Sequence, residues 1–128
     1  MNDGLYIEAS VHGIGLNCLI DSGSTITVIR PSIINQLATE IQLDVVSEDG
    51  ELKMADGSLM ATSGKTEIPF QINGMEYRQV TTIADIDAPV VLGYDFLHHH
   101  KCQVDFENSL LQINNLTFPC KLESQLQV

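Results

Sequence analysis

The chain has 128 residues, the length of one domain able to bury a real core. Seventeen acidic residues against six basic give a net charge of −11, which argues against nucleic acid as a direct partner, since phosphate binding needs a basic stripe. The composition, 44% apolar and 18% charged, is not that of a disordered polyelectrolyte, and no apolar run approaches the roughly 18 residues of a membrane span.

Leu5, Ile7, Ala9 and Val11 alternate with Tyr6, Glu8, Ser10 and His12, the period of a half-buried strand. Turn glycines follow at Gly13 and Gly15, and residues 16–20 return, so the first unit is a hairpin. This second strand runs into Asp21-Ser22-Gly23-Ser24-Thr25, and residues 26–29 resume as strand. Asp21 therefore stands on a tight turn between two buried segments, a costly place for a charge without partners. Asp-Ser-Gly is equally an ordinary turn tripeptide, its Asp accepting a local backbone hydrogen bond. Pro31 fits the first position of a short helix through Leu37.

Residues 41–47 are strand-like, and Glu48-Asp49-Gly50 reads as a turn. Residues 51–54 and 59–62 flank Ala55-Asp56-Gly57-Ser58, where Asp-Gly signals a hairpin. Ser63-Gly64 reads as another turn, residues 65–72 alternate, and Asn73-Gly74 turns the chain into residues 75–83. An acidic loop at 84–88 leads to a short apolar strand, 89–93, and a short helix within 94–101. Residues 102–106 and 110–113 form a last hairpin. The tail, 116–128, reads as one more strand or as a segment that pairs with a partner. Many short strands and at most two short helices predict an all-β domain, a barrel or compact sandwich.

Other candidates have plainer readings. His98, His99 and His100 are consecutive, so on a helix they point about 100° apart and cannot converge on one metal ion. Asp85 and Asp87 suit a solvated loop, Asp105 a strand end, and Asp95 a helix start or a partner for nearby backbone donors. Cys18, Cys102 and Cys120 are odd in number and lack metal-ligand spacing; they read as reduced thiols of an intracellular protein, with Cys18 a small buried side chain. The first residues lack a basic region followed by an apolar core, so no signal peptide is expected.

The run Cys18-Leu19-Ile20-Asp21-Ser22-Gly23-Ser24-Thr25 resembles the active-site loop of aspartic proteases. About seventy residues later, Val90-Val91-Leu92-Gly93-Tyr94-Asp95-Phe96-Leu97 resembles the second signature of the retroviral type, in the form found in long-terminal-repeat retrotransposons. Val104-Asp105-Phe106 fits the same pattern. The resemblance spans residues 5–113 and implies a single-lobed, retropepsin-like closed barrel with a β-hairpin flap, acting as a symmetric homodimer. The whole chain, 1–128, would be one such domain, with 114–128 a C-terminal segment that could join the dimer interface.

Two neighbouring carboxylates that share a proton can supply both the base and the acid of peptide hydrolysis. This chain offers one suitable loop carboxylate and is too short for two lobes, so a two-fold axis would have to bring the second. By resemblance, Asp21 is the catalytic carboxylate. Ser22 bonds across the dimer axis, and Gly23 admits the substrate backbone. Ser24 would donate to the Asp21 carboxylate. Ala55, Asp56, Gly57 and Ser58 form the flap tip. Leu19, Thr25, Ile26, Val28, Pro89 and Val91 contact substrate, implying a taste for apolar residues in an extended peptide or polyprotein. No cofactor or metal is implied, and the setting would be cytoplasmic or within virus-like particles. Two departures stand out: Thr25 and Tyr94 occupy positions where many viral members carry an Asp–Arg pair. The competing reading is a catalytically silent module that keeps the fold for dimerisation or peptide binding.

Overall fold

The computed structural model describes residues 4–54 and 56–126. Strands β1 (Leu5–Val11) and β2 (Ile14–Ile20) form the expected hairpin. His12 and Gly13 turn it at φ 48° and 82°, the two positive angles that a type I′ turn requires. Alternation sets the faces, burying Ile7, Ala9 and Val11 and exposing Glu8. Tyr6, on the polar side of the pattern, is buried as well; its hydroxyl donates to Glu123 at 3.0 Å.

After β2 the strand resumes only at β3 (Val28–Ile29), shorter than the pattern predicts. Helix α1 (Pro31–Ala38) starts at its proline, where a missing N–H costs nothing, and buries Ile33, Ile34 and Leu37 at helical spacing. Residues 41–45 are not strand; β4 begins later (Val46–Lys53). The turns predicted at Glu48-Asp49-Gly50 and Ser63-Gly64 are instead two facing irregularities in a long hairpin. Between β4 and β5 (Leu59–Ile72) the register slips from Ser47↔Gly64 to Gly50↔Thr62. A Cβ on Gly64 would overlap the Val46 carbonyl oxygen, so this glycine serves close backbone approach rather than chain reversal.

Asn73-Gly74, at φ 51° and 85°, turns β5 into β6 (Met75–Ala84). Then follow β7 (Val90–Leu92), α2 (Tyr94–His99), β8 (Cys102–Asp105) and β9 (Leu110–Ile113). The tail folds back on its own chain. Strand β10 (Leu116–Pro119) pairs with β9, β11 (Lys121–Leu122) pairs with Leu5 and Tyr6 of β1, and a 3-10 turn (Glu123–Leu126) follows.

Eight strands make one sheet in the order β11-β1-β2-β7-β3-β6-β5-β4, while β10-β9-β8 form a second. Strand β1 also meets β5 at Ser10↔Gln71, so the larger sheet curls into a ring. Inside it, Phe70 and Phe96 meet edge to face at 6.4 Å, among Ile7, Ile29, Leu37 and Leu111. Phe118 of the tail reaches the same core. One feature of the order places the site: β7 lies between β2 and β3, parallel to the first and antiparallel to the second. The connection from β2 to β3 must therefore pass over the end of β7, where Gly93 stands.

Helix α2 is backed by an aromatic stack. His100 lies on Phe96 and Tyr77, with ring centroids 4.5 and 5.4 Å away, and its Nε2 is 3.3 Å from the Arg78 carbonyl. Burial, and then the neighbouring His99, pull the His100 pKa below its ordinary 6.5. A depressed histidine binds fewer protons folded than unfolded, so its contribution is full above pH 6.5 and is lost as pH falls toward the folded value. Asp56 and Asp105, held below their ordinary 3.8 mainly by hydrogen bonds from Ser58 and Asn108, act only in stronger acid. The melting temperature should therefore decline between pH 7.5 and 5.5, and decline less in His100→Gln; parallel slopes for the two proteins would sink the assignment.

Candidate active site

Asp21 begins the connection from β2. Its N–H donates to the Leu92 carbonyl of β7 at 3.0 Å, which fixes the backbone at the sheet's edge. Its Oδ1 accepts the Gly23 N–H at 3.0 Å, and its carbonyl accepts the Ser24 N–H at 3.1 Å. The tight turn is thus real, and so is the local Asp-to-backbone bond. The burial expected of Asp21 is not found within one chain. Asp21, Ser22 and Gly23 are all exposed, because the turn protrudes beyond the strands it joins. The Ser24 hydroxyl does not donate to Asp21 either. It donates to the Ile26 carbonyl at 2.7 Å, which the turn brings within reach.

Behind this turn is a clasp. The first N–H groups of α2 point at the connection, with Tyr94 donating to the Ser24 carbonyl at 2.7 Å and Asp95 to that of Thr25 at 3.3 Å. The Asp95 carboxylate accepts the Thr27 N–H at 3.1 Å, the Thr27 hydroxyl at 2.7 Å and the Gln79 amide at 3.1 Å. Thr27 is fully buried and its Oγ1 also accepts the Gly93 N–H at 3.1 Å. Asp95 is a partner for nearby backbone donors, as its position suggested. Here Asp95, not a charge pair at Thr25 and Tyr94, ties the loop to the helix. Thr25 is exposed, and Tyr94 stacks on His98 at 5.4 Å. Thr27 and Gln79 escaped the sequence reading; only Thr27, a lone polar residue inside an apolar run, carried a signal.

In front of the turn is a cleft of about 450 Å³. Asp21, Gly23, Ser24 and Thr25 form one side, and Val28 and Val91 line its apolar part. The other contributors come from residues the sequence reading passed over: Leu52, Lys53 and Met54 of the long hairpin, and Ile86. Ile86 lies in the stretch read as an acidic loop, yet it is buried with Val28 and Ala84 in a small cluster against which Ile26, Leu52, Met60 and Val91 pack. Leu19 and Pro89 are half-buried and do not line this cleft; Pro89 instead accepts the Arg30 N–H at 3.1 Å.

The hairpin's tip is held by its own side chains. The Ser58 N–H and hydroxyl donate to Asp56 at 2.9 and 2.6 Å, and Gly57 takes φ 89°. Asp56, Gly57 and Ser58 are exposed and stand outside the cleft lining, and Ala55 lies outside the described residues. No nucleophilic thiol is present near Asp21: burial pushes the Cys18 pKa up to about 12, and Cys102 and Cys120 up to about 11. Among the described residues no group of side chains could hold a metal ion, and no helix is long and apolar enough to cross a membrane.

The chain as a whole is similar to known proteins in sequence and in fold. The family model for the PEG10/RTL1 protease domain matches residues 17–120. DNA damage-inducible protein 1 of Kluyveromyces lactis is 22% identical over 122 residues, covering 95% of this chain and 29% of that protein. Its counterpart in Cryptococcus neoformans is 27% identical over 133 residues, covering 95% and 28%. The chain thus spans less than a third of the curated relatives it matches. The retroviral protease-like domain of Ddi1 from Leishmania major superposes with a TM-score of 0.78 at 18% identity, over 96% of this chain and 98% of that one. The EIAV protease in complex with the inhibitor HBY-793 superposes at 0.67 and 18% identity, over 83% and 96%. At these identities the superpositions show the fold.

Proposed function

Since this chain belongs to the PEG10/RTL1 protease domain family, a retrotransposon-derived group with the retroviral protease-like fold, we propose that it is an aspartic endopeptidase that works as a symmetric homodimer. The observation that carries this reading is the placement of Asp21. Its carboxylate is exposed on a turn locked from behind, it opens onto the cleft, and among the described residues no second carboxylate lines that cleft. A two-fold axis beside the turn would set Asp21 against its copy. Two carboxylates at that distance share one proton; the ionised one deprotonates water and the protonated one serves the leaving amide. Ser22 would bond across the axis and Gly23 would let the substrate backbone come close.

Substrate would lie extended between the long hairpin and the floor, held by main-chain hydrogen bonds. Its apolar side chains would meet Val28, Ile86 and Val91. Ser24, Thr25 and Ile26 would frame the same groove. The tip at Ala55, Asp56, Gly57 and Ser58 would close over it, and Leu19 and Pro89 would touch substrate only where it extends past the cleft. An apolar junction in a polyprotein is the natural substrate of such a site, and the cytoplasm or a virus-like particle its setting.

The test is the order of the reaction in protein. Hydrolysis of an apolar-junction peptide between pH 4 and 7 should rise faster than linearly with protein concentration, then become linear once the dimer saturates. A linear rise from the lowest concentration, with the chain monomeric by sedimentation, would overturn the shared dyad.

A further inference from the structure

We infer that Arg30 is a positioning residue for this cleft: it holds the loop that carries Ile86, and so sets the size of side chain that the cleft accepts. The inference rests on the proposed peptide-cleaving function and concerns its specificity. Strand β3 lies between β6 and β7, parallel to the first and antiparallel to the second, so the loop from β6 to β7 must cross the end of β3. Arg30 is the next residue after that end. Its N–H donates to the Pro89 carbonyl at 3.1 Å, and its Nη1 donates to the Asp87 carbonyl at 2.7 Å. Its Nε donates to the Ser32 hydroxyl at 3.1 Å, which orients the guanidinium plane.

An arginine beside an acidic loop is ordinarily a solvated charge or one half of a surface ion pair. Arg30 is neither. It is half-buried, and the ion pairs among the described residues do not include it, although Asp85 and Asp87 stand in the same loop. The guanidinium is directed to a backbone carbonyl, a charge-assisted bond that fixes the main chain. The residue fixed in this way belongs to the cleft. Ile86 is buried between the exposed Asp85 and Asp87, packs with Val28 and Ala84, and lines the cleft with Val91. On one side of it, the Ile86 N–H donates to the Ala84 carbonyl at 2.8 Å; on the other, Arg30 holds Asp87 and Pro89. One short strand thus presents Val28 to the cleft and, two residues on, the anchor that keeps Ile86 against it. Without the guanidinium the loop keeps its bond at Pro89 but is released at Asp87, next to Ile86. The apolar wall can then swing outward and admit a larger side chain.

The test measures kcat and KM for two peptides that differ only in one apolar residue at the junction, valine or phenylalanine. The proteins are wild type, Arg30→Met, Ile86→Ala and the double variant. Binding of the same peptides to Asp21→Asn protein, with and without Arg30→Met, is measured in parallel. Arg30→Met keeps the backbone bond to Pro89, so the fold should persist. It should raise the phenylalanine-to-valine ratio of kcat/KM by at least about fivefold, toward the scale of one methylene in an apolar pocket, with the change carried by KM rather than kcat. Ile86→Ala should raise the ratio as well, and adding Arg30→Met to it should change the ratio no further, because the anchor acts through Ile86. An unchanged ratio in Arg30→Met, even with a general loss of activity, would overturn the inference, and so would an equal shift with and without Ile86. If wild type cleaves neither peptide, the proposed function fails and the binding arm decides for Arg30. A relative affinity that Arg30→Met moves toward the phenylalanine peptide supports it there; an unmoved relative affinity, or no binding of either peptide, defeats it.

Discussion

Asp21→Asn should abolish peptide hydrolysis, lowering kcat by at least about 10³-fold, while leaving the fold intact. The two halves of this expectation come from different atoms. The carboxamide cannot take a proton from water, and in the proposed dimer the substitution removes both members of the dyad at once; removal of a positioned acid–base group alone costs about 10² to 10⁴. Stability is a separate matter. The Asp21 carboxylate is exposed, and among the described residues its side chain makes one bond, Oδ1 accepting the Gly23 N–H at 3.0 Å, which an asparagine Oδ1 accepts equally well. The backbone bond from Asp21 to Leu92 does not involve the side chain. The melting temperature should therefore stay within about 2 °C of wild type, the scale of a neutral surface change.

Mixing gives a sharper form of the experiment. Wild type and Asp21→Asn combined in equal amounts, with free exchange of subunits, leave about a quarter of the dimers with two carboxylates. The activity per total protein should fall to that fraction. A fall only to one half would mean that each chain works alone, and retained activity in Asp21→Asn itself would end the aspartic reading altogether.

Much of this architecture can be read from local chemistry. The alternation from Leu5 to Val11, the turns at His12-Gly13 and Asn73-Gly74, and the proline-started helix each rest on a few adjacent residues. The two signatures likewise sit in contiguous runs, so Asp21, Gly23, Val28 and Val91 could be assigned to one site before their distances were known. What stayed hidden was set by partners far along the chain. Gly50 and Gly64 look like turn residues, yet each faces the other strand of a hairpin that continues past both. Ile86 sits among acidic residues and is buried by packing with Val28 and Ala84. The Ser24 hydroxyl was close enough in sequence to reach Asp21, but the fold of the turn offered it the Ile26 carbonyl instead. Asp95 could be recognised as a cap, not as the carboxylate that holds Thr27, 68 residues earlier.

That clasp makes Gly93→Ala the substitution with the greatest expected effect on stability. The backbone angles at Gly93, φ −88° and ψ −175°, are ones alanine adopts freely, so no conformational penalty applies. The obstacle is space. A Cβ there would overlap the Ile26 carbonyl and stand 2.8 Å from the Ser24 carbonyl oxygen, and all of these are backbone atoms. They cannot retreat without breaking the bonds from Tyr94 to Ser24, from Gly93 to Thr27 and from Thr27 to Asp95. Overpacking in a rigid interior commonly costs about 1 to 3 kcal/mol, and a backbone-on-backbone clash belongs at or above the top of that range. Against a whole stability of about 5 to 15 kcal/mol, that is a shift of the urea midpoint easily measured. Gly23→Ala is the contrast. Its Cβ would meet only the Asp21 Oδ1, at 3.2 Å, on an exposed turn, so the fold should survive while the approach of substrate to Asp21 is obstructed. The pair separates two uses of glycine in one site: Gly93→Ala should lose stability, whereas Gly23→Ala should keep stability and lose kcat/KM. A Gly93→Ala protein that unfolds within 1 kcal/mol of wild type, on the order of an ordinary surface change, would show that the clasp yields and that the turn is not locked from behind.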